Sequence, residues 1–230
     1  MSGSPSATGT RTIRIWDVWI RLFHWSLVLA IAFLVYSGRT GELFTEWHRR
    51  VGELVLVLVV FRLLWGVFGS SNARLASLIV DPRAALAHLR DLAARRVHRE
   101  TRHNAAGGWA VLALLVLLGV QAVTGLFIAD EDEIVEGALY GAFGSDTSDW
   151  LHHVHHVNAD LLQVLVVVHI VMIAVYLLHA RLNLVTPMVT GRARVTAERA
   201  PDEPSWRPVG VGAVCAAVAL AGVGRLCGWF

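Results

Sequence analysis

Three observations predict an all-α membrane protein, a four-helix transmembrane bundle followed by a fifth, C-terminal transmembrane helix. The first is composition: of 230 residues, 55% are apolar and the mean hydropathy is +0.55, well above that of soluble chains. The second is the spacing of apolar runs, at about Leu22–Tyr36, Val51–Phe68, Trp109–Ala129, Leu161–Leu178 and Val209–Leu226. Each is near the length that crosses roughly 30 Å of hydrocarbon, and only helices satisfy their own backbone groups there without closing a barrel. The third is the distribution of charge. Every basic side chain is Arg, and the arginines gather before the first run, between the second and third, and after the fourth. If the chain simply alternates, these regions share one side, which the positive-inside rule makes the cytoplasm. The N-terminus is then inside and the C-terminus outside. The opposite side holds a short loop near Arg39–Arg50 and an acidic one with seven carboxylates from Asp130 to Asp149.

Residues 1–12 are Ser-, Gly- and Thr-rich at their start and are expected to be disordered. Trp16, Trp19 and Trp25 mark the cytoplasmic entry of span one, where indoles favour the interface. No small-residue cleavage site follows this span, so it is expected to be retained. Span two carries Arg62 inside its apolar window. A buried cation needs an anion, and snorkelling to the inner headgroups is the alternative. The inner connection contains Asp81-Pro82, a good helix start, and a stripe of Leu86, Leu89 and Leu92 beside arginines. It reads as an amphipathic helix over about 81–97 lying on anionic lipid. His88, His98 and His103 belong to this region and are read as solvated surface. Span three has no histidine but carries Gly119, Thr124 and Gly125, small residues that suit either helix packing or the wall of a cofactor site. Residues 192–207 form a polar linker, and residues 208–230 an additional, peripheral span. Cys215 and Cys227 fit neither a covalent haem attachment nor a zinc pair, and no disulfide is expected.

The histidines carry the chemistry. The stretch from Leu151 to Ile170 opens with His152, His153, His155 and His156 and then places His169 within an apolar run. An ionisable ring inside a span points to function. On a helix, His155 and His169 share a face about 21 Å apart. His48 stands at the outer start of span two, and His24 lies deeper in span one, towards the cytoplasm. Taken alone, His24 also fits a neutral ring bonded to a backbone carbonyl, and His48 an ordinary interfacial residue. Together the four give two pairs at two depths. Two imidazoles on opposite axial faces hold a haem iron and leave no open position, so such a centre passes electrons.

The segments RLFHWSLVLAIAFLVYSG, WHRRVGELVLVLVVFRLLWGVFG, QAVTGLF and VVVHIVMIAVYLLHARLNLVTPMVTG, with the His-rich entry to span four, resemble the bacterial cytochrome b561 family, which includes the cytochrome b subunit of nickel–iron hydrogenases. The likeness covers about Arg14 to Gly191, within a domain of residues 13–191. It implies a four-helix bundle holding two b-type haems, with His24 paired to His169 and His48 to His155 as iron ligands. Arg62 is then a candidate partner for a haem propionate. The crowded HHVHH leaves His152, His153 or His156 as alternatives to His155.

Three functions differ in kind. The first is an electron conduit in the bacterial inner membrane, between the quinone pool and a periplasmic partner such as a cytochrome or a hydrogenase-like subunit. The acidic outer loop suits a basic partner. The second is an enzyme, a superoxide:quinone oxidoreductase, which those carboxylates oppose unless Arg39, Arg49 and Arg50 neutralise them. The third is metal binding by HHVHH, which leaves His24 and His169 unexplained. Lipid surrounds the chain in every case, and no nucleic-acid partner is expected.

Overall fold

In a computed structural model, residues 9–40, 44–97, 103–129, 134–196 and 204–230 are described. Five helices are long and apolar enough to cross a membrane: α1 (Val18–Ser37), α2 (Thr45–Phe68), α4 (Ala105–Gly125), α5 (Ser145–Leu178) and α7 (Val209–Leu226). A strand, β1 (Thr10–Arg14), precedes them, and between them lie α3 (Pro82–Ala93), the short α6 (Val185–Thr190) and a second strand, β2 (Arg192–Thr196). The multi-pass all-helical bundle expected from the apolar runs is therefore present. Large apolar side chains on the outside of the helices, among them Leu29, Val116, Val164, Ile170 and Val214, are exposed and suited to lipid.

Polar side chains start the helices where the hydropathy rises. Asp17 caps α1 by accepting from the Ile20 amide at 2.8 Å, and Asn104 caps α4 through the Gly107 amide at 2.8 Å. Asp81 caps α3 through the Arg83 amide, with Pro82 in the first turn, as its sequence predicts. At 34 residues, α5 is about 51 Å long. It is longer than the hydrocarbon is thick, so its first turns, which carry the four clustered histidines, reach beyond one end of the span, the end expected from the sequence to be outer.

Helix α1 packs on α2, α2 on α4, and α4 on α5, while α2 is the most deeply enclosed of the five. Helices α1 and α5 stand apart across a large cavity. Two expectations for the polar ends change. Residues 10–12, expected to be disordered, belong to β1, which pairs antiparallel with β2 from Thr10–Thr196 to Arg14–Arg192. The first residues of the expected linker are thus a strand. This ribbon covers the fully buried Ile13 and places residues 10–14 and 192–196 at one end of the bundle, as an even number of intervening crossings requires. The alternation is there, with Ala193 and Val195 buried between exposed Arg192 and Arg194, but it spans only five residues in each strand, and pairing across the whole domain is what makes it a ribbon.

The third change concerns α7, expected to be peripheral. It packs along α2, and its Cys215, Ala219 and Val223 are buried in the same core as Val55, Val59 and Trp65. The Trp19 indole donates to the Val209 carbonyl at 3.0 Å, and a Cβ on Gly212 would collide with that ring. Small residues let α7 approach closely, and close approach is what drives helix association in lipid. Both cysteines are free thiols, as expected.

Candidate haem site

The cavity between α1, α2, α4 and α5 has a volume of about 2510 Å³, more than twice the upper size of a drug-sized pocket of about 1,000 Å³. Its walls are mainly apolar, and His24, His48, His155 and His169 all line it. The outer level is the better defined. His48 on α2 and His155 on α5 face each other with ring centroids 6.5 Å apart and planes at 65°. Two metal–nitrogen bonds of about 2 Å, with the half-width of each ring, span roughly 6.4 Å. The spacing therefore matches two imidazoles on opposite sides of one metal.

The hydroxyls behind these rings settle which nitrogen is available. The Ser37 Oγ donates to the Leu34 carbonyl at 3.3 Å and lies 2.9 Å from His48 Nδ1. With its one hydrogen committed, the hydroxyl accepts from an Nδ1–H. Thr124 repeats the arrangement: its Oγ1 donates to the Val120 and Gln121 carbonyls at 2.8 and 3.1 Å and lies 3.0 Å from His155 Nδ1. Both rings are thus held as Nδ1–H tautomers with the Nε2 lone pair free. That is how a ligating histidine is oriented by its surroundings.

Each ring also rests against a glycine of a neighbouring helix. A Cβ on Gly38 would lie 3.3 Å from His48 Cε1, and one on Gly125 would lie 3.2 Å from His155 Cε1. Thr124 and Gly125 are therefore a wall for the site, whereas Gly119 faces open space. Asn158, one turn beyond His155, is buried and donates to the Leu117 carbonyl at 2.9 Å and to Gln121 Oε1 at 2.6 Å. It pins α5 to α4 at the level of His155. The sequence reading missed this anchor, although a polar amide inside an apolar run was the available signal.

His152, His153 and His156 also border the cavity but are exposed, and the His152 and His156 ring centroids lie 4.5 Å apart with their planes tilted at 51°. The contacts with the Thr124 hydroxyl and Gly125 are made by the His155 ring. Among the described residues, no group of three or more His, Cys, Asp or Glu side chains is placed to hold a metal ion. Arg49 and Arg50 are paired with Glu46 and Glu53, while Arg39 donates to Gln163 Oε1 at 2.6 Å. Residues 130–133 of the acidic loop lie outside the described residues.

The inner level holds more than expected. His24 and His169 line the same end of the cavity within electrostatic reach of each other, and His24 Nδ1 is buried without a hydrogen-bond partner in the protein. Such a nitrogen calls for a further group. His103, read from the sequence as solvated surface, lines this end too. Its ring lies 4.7 Å from that of Trp16, and its Nδ1 is also buried and unpartnered. Burial pushes its imidazole down to about 3, with Arg62, His169 and His24 adding to the effect, so the ring is neutral at physiological pH. Its place one residue before the Asn104 cap, at the inner edge of span three, was the signal that could have found it. His88 is likewise not simply solvated, for its Nε2 lies 2.7 Å from the Tyr176 hydroxyl; His98 falls outside the described residues. His179 bonds the Ala93 carbonyl at 3.1 Å, so α3 is tied to the inner end of α5.

Arg62 does not snorkel. It is 2% exposed, with Asp17 as the nearby anion and one guanidinium nitrogen left without a partner. Asp17 also accepts from the Trp65 indole at 3.2 Å, so one carboxylate caps α1, holds Trp65 and balances Arg62. The residues present fit haem: imidazoles with the correct free nitrogen, glycines that make room for them, apolar walls and unsatisfied buried donors. No curated protein matches the sequence. A family model described as prokaryotic cytochrome b561 matches residues 15–191.

Proposed function

Since the chain belongs to the prokaryotic cytochrome b561 family, and is a membrane b-type cytochrome of electron transfer, we propose that it holds two haems, one at each end of the cavity, and carries electrons between quinone and a redox protein outside the cytoplasm. The observation that carries this reading is the outer pair, His48 and His155, with both Nδ1 atoms bonded to hydroxyls and the rings at axial spacing. His24 and His169 are proposed as the inner ligands, and the unpartnered Arg62 nitrogen as a donor to a propionate. Bound haem supplies a one-electron couple at each level. The chain's part is to hold the rings, exclude water with apolar walls and leave no position open for a substrate on the metal.

The orientation proposed is N-terminus cytoplasmic in the bacterial inner membrane, from the arginine-rich ends that β1 and β2 bring to one side. A reduced-minus-oxidised spectrum with a haem count should show two low-spin b-type haems per chain; a single haem ends the two-centre reading. Rapid superoxide consumption by the isolated chain with quinone present would favour the oxidoreductase alternative.

Thr124→Val tests the orienting role of the hydroxyl. It keeps the side-chain shape but removes the acceptor of His155 Nδ1. Losing such a partner costs about 10–100-fold in metal affinity. The outer haem should therefore dissociate faster to a haem-scavenging apoprotein while the inner one is unaffected. Equal dissociation rates in parent and variant would exclude the role.

A further inference from the structure

The C-terminal helix lies beyond the residues matched by the family, yet it reaches the outer end of the site. After α7 the chain turns back on itself, with the Trp229 amide bonded to the Gly224 carbonyl at 2.8 Å. This aims the indole at α2, where Trp229 Nε1 donates to Glu53 Oε2 at 2.8 Å. Arg49 donates to the other carboxylate oxygen, Glu53 Oε1, at 2.5 Å. Glu53 is 2% exposed, so a buried charge has one partner from its own helix and one from the turn that follows α7. The remaining guanidinium N–H groups of Arg49 grip Glu46 at 2.7 and 3.0 Å, and Arg50 shares that carboxylate at 2.7 Å. His48, Arg49, Gly52 and Glu53 all line the cavity.

We propose that Trp229 and Glu53 are positioning residues for the outer haem: the C-terminal helix, through its indole, fixes the Glu53 carboxylate and with it Arg49 in the wall beside His48, and this fixed pair sets the reduction potential of that centre. The inference rests on the outer haem being held by His48 and His155. Oxidised iron carries one more positive charge than reduced iron, so a nearby carboxylate favours the oxidised form and a guanidinium opposes it. The two charges nearly cancel, and their balance depends on where each is held. In a low-dielectric wall that balance is felt strongly. A buried carboxylate with both oxygens bonded stays in place; one that has lost the indole does not.

The test is a redox titration of the purified full-length protein, resolving the two haem midpoints. Glu53→Gln keeps the side-chain volume and an acceptor for Trp229 but removes the negative charge. It should raise one midpoint and leave the other in place, with both haems retained. Trp229→Phe should move the same midpoint, and combining it with Glu53→Gln should move it no further, because the indole then has no carboxylate to hold and Arg49 no longer depends on it. Both midpoints unmoved in Glu53→Gln, both shifted alike, or fully additive shifts would overturn the proposal. If Glu53→Gln does not accumulate as folded protein, Trp229→Phe decides: an unmoved midpoint overturns it. A His155→Ala protein that keeps both haems would instead refute the ligation on which the inference stands.

Discussion

A His155→Ala protein should purify with one haem instead of two, and the haem lost should be the outer one. The ring it removes faces His48 at 6.5 Å and is oriented by Thr124 and Gly125. No neighbouring imidazole can take its place without rebuilding that wall. His152, His153 and His156 also border the cavity but are exposed, and the ring contact at 6.5 Å with His48 is made by His155, so alanine at any of them should leave the haem count at two. His169→Ala should remove the inner haem and spare the outer. Haem per chain from the pyridine haemochrome, with low-temperature spectra to separate the two centres, reads all five variants. Unchanged spectra in both His155→Ala and His169→Ala would mean that the ligands lie elsewhere, and His103 would then be the first inner position to examine.

The second large effect concerns stability. Asp17→Ala should lower the thermal unfolding midpoint of the protein in detergent more than any other surface-distant polar substitution, with a loss of at least about 3 kcal/mol. Three consequences coincide at this carboxylate. The α1 cap is lost, the Trp65 indole loses its acceptor in a fully buried position, and Arg62 keeps its charge with no anion near it. Asp17→Asn separates them in part, since its one amide oxygen can keep the helix cap while the indole loses its acceptor and Arg62 its counter-charge. An Asp17→Asn protein as stable as the parent would show that the charge on Arg62 is balanced by something other than Asp17.

Much of the site was legible because membrane insertion constrains sequence so tightly. An apolar run of spanning length has one structural outcome, and an imidazole within it stands out against its neighbours. His24, His48, His155 and His169 were expected at two depths from their positions along the spans, and all four line one cavity. What depth could not supply was direction around each helix. Among four histidines in five positions, the one that faces α2 depends on where α4 presents Thr124 and Gly125, which is a property of packing. His103 was misjudged for a related reason. Its arginine-rich neighbours describe a solvated connection, but the chain dips back under Trp16 before span three begins.

The sequence by itself determined the class of the protein, its helical spans and the presence of histidines within or beside the first, second and fourth of them. Hydropathy and residue spacing along a single helix are local properties, and they survive without knowledge of any neighbour. Only the tertiary structure decided the rest: the ribbon that joins β1 to β2, the partners of Arg62 and His155, and the place of α7 against α2 with Trp229 on Glu53. Those depend on which faces meet, and residues as far apart as 53 and 229 carry no local sign that they will. In a membrane, where apolar surface alone does not choose a partner, small residues and buried polar contacts make that choice.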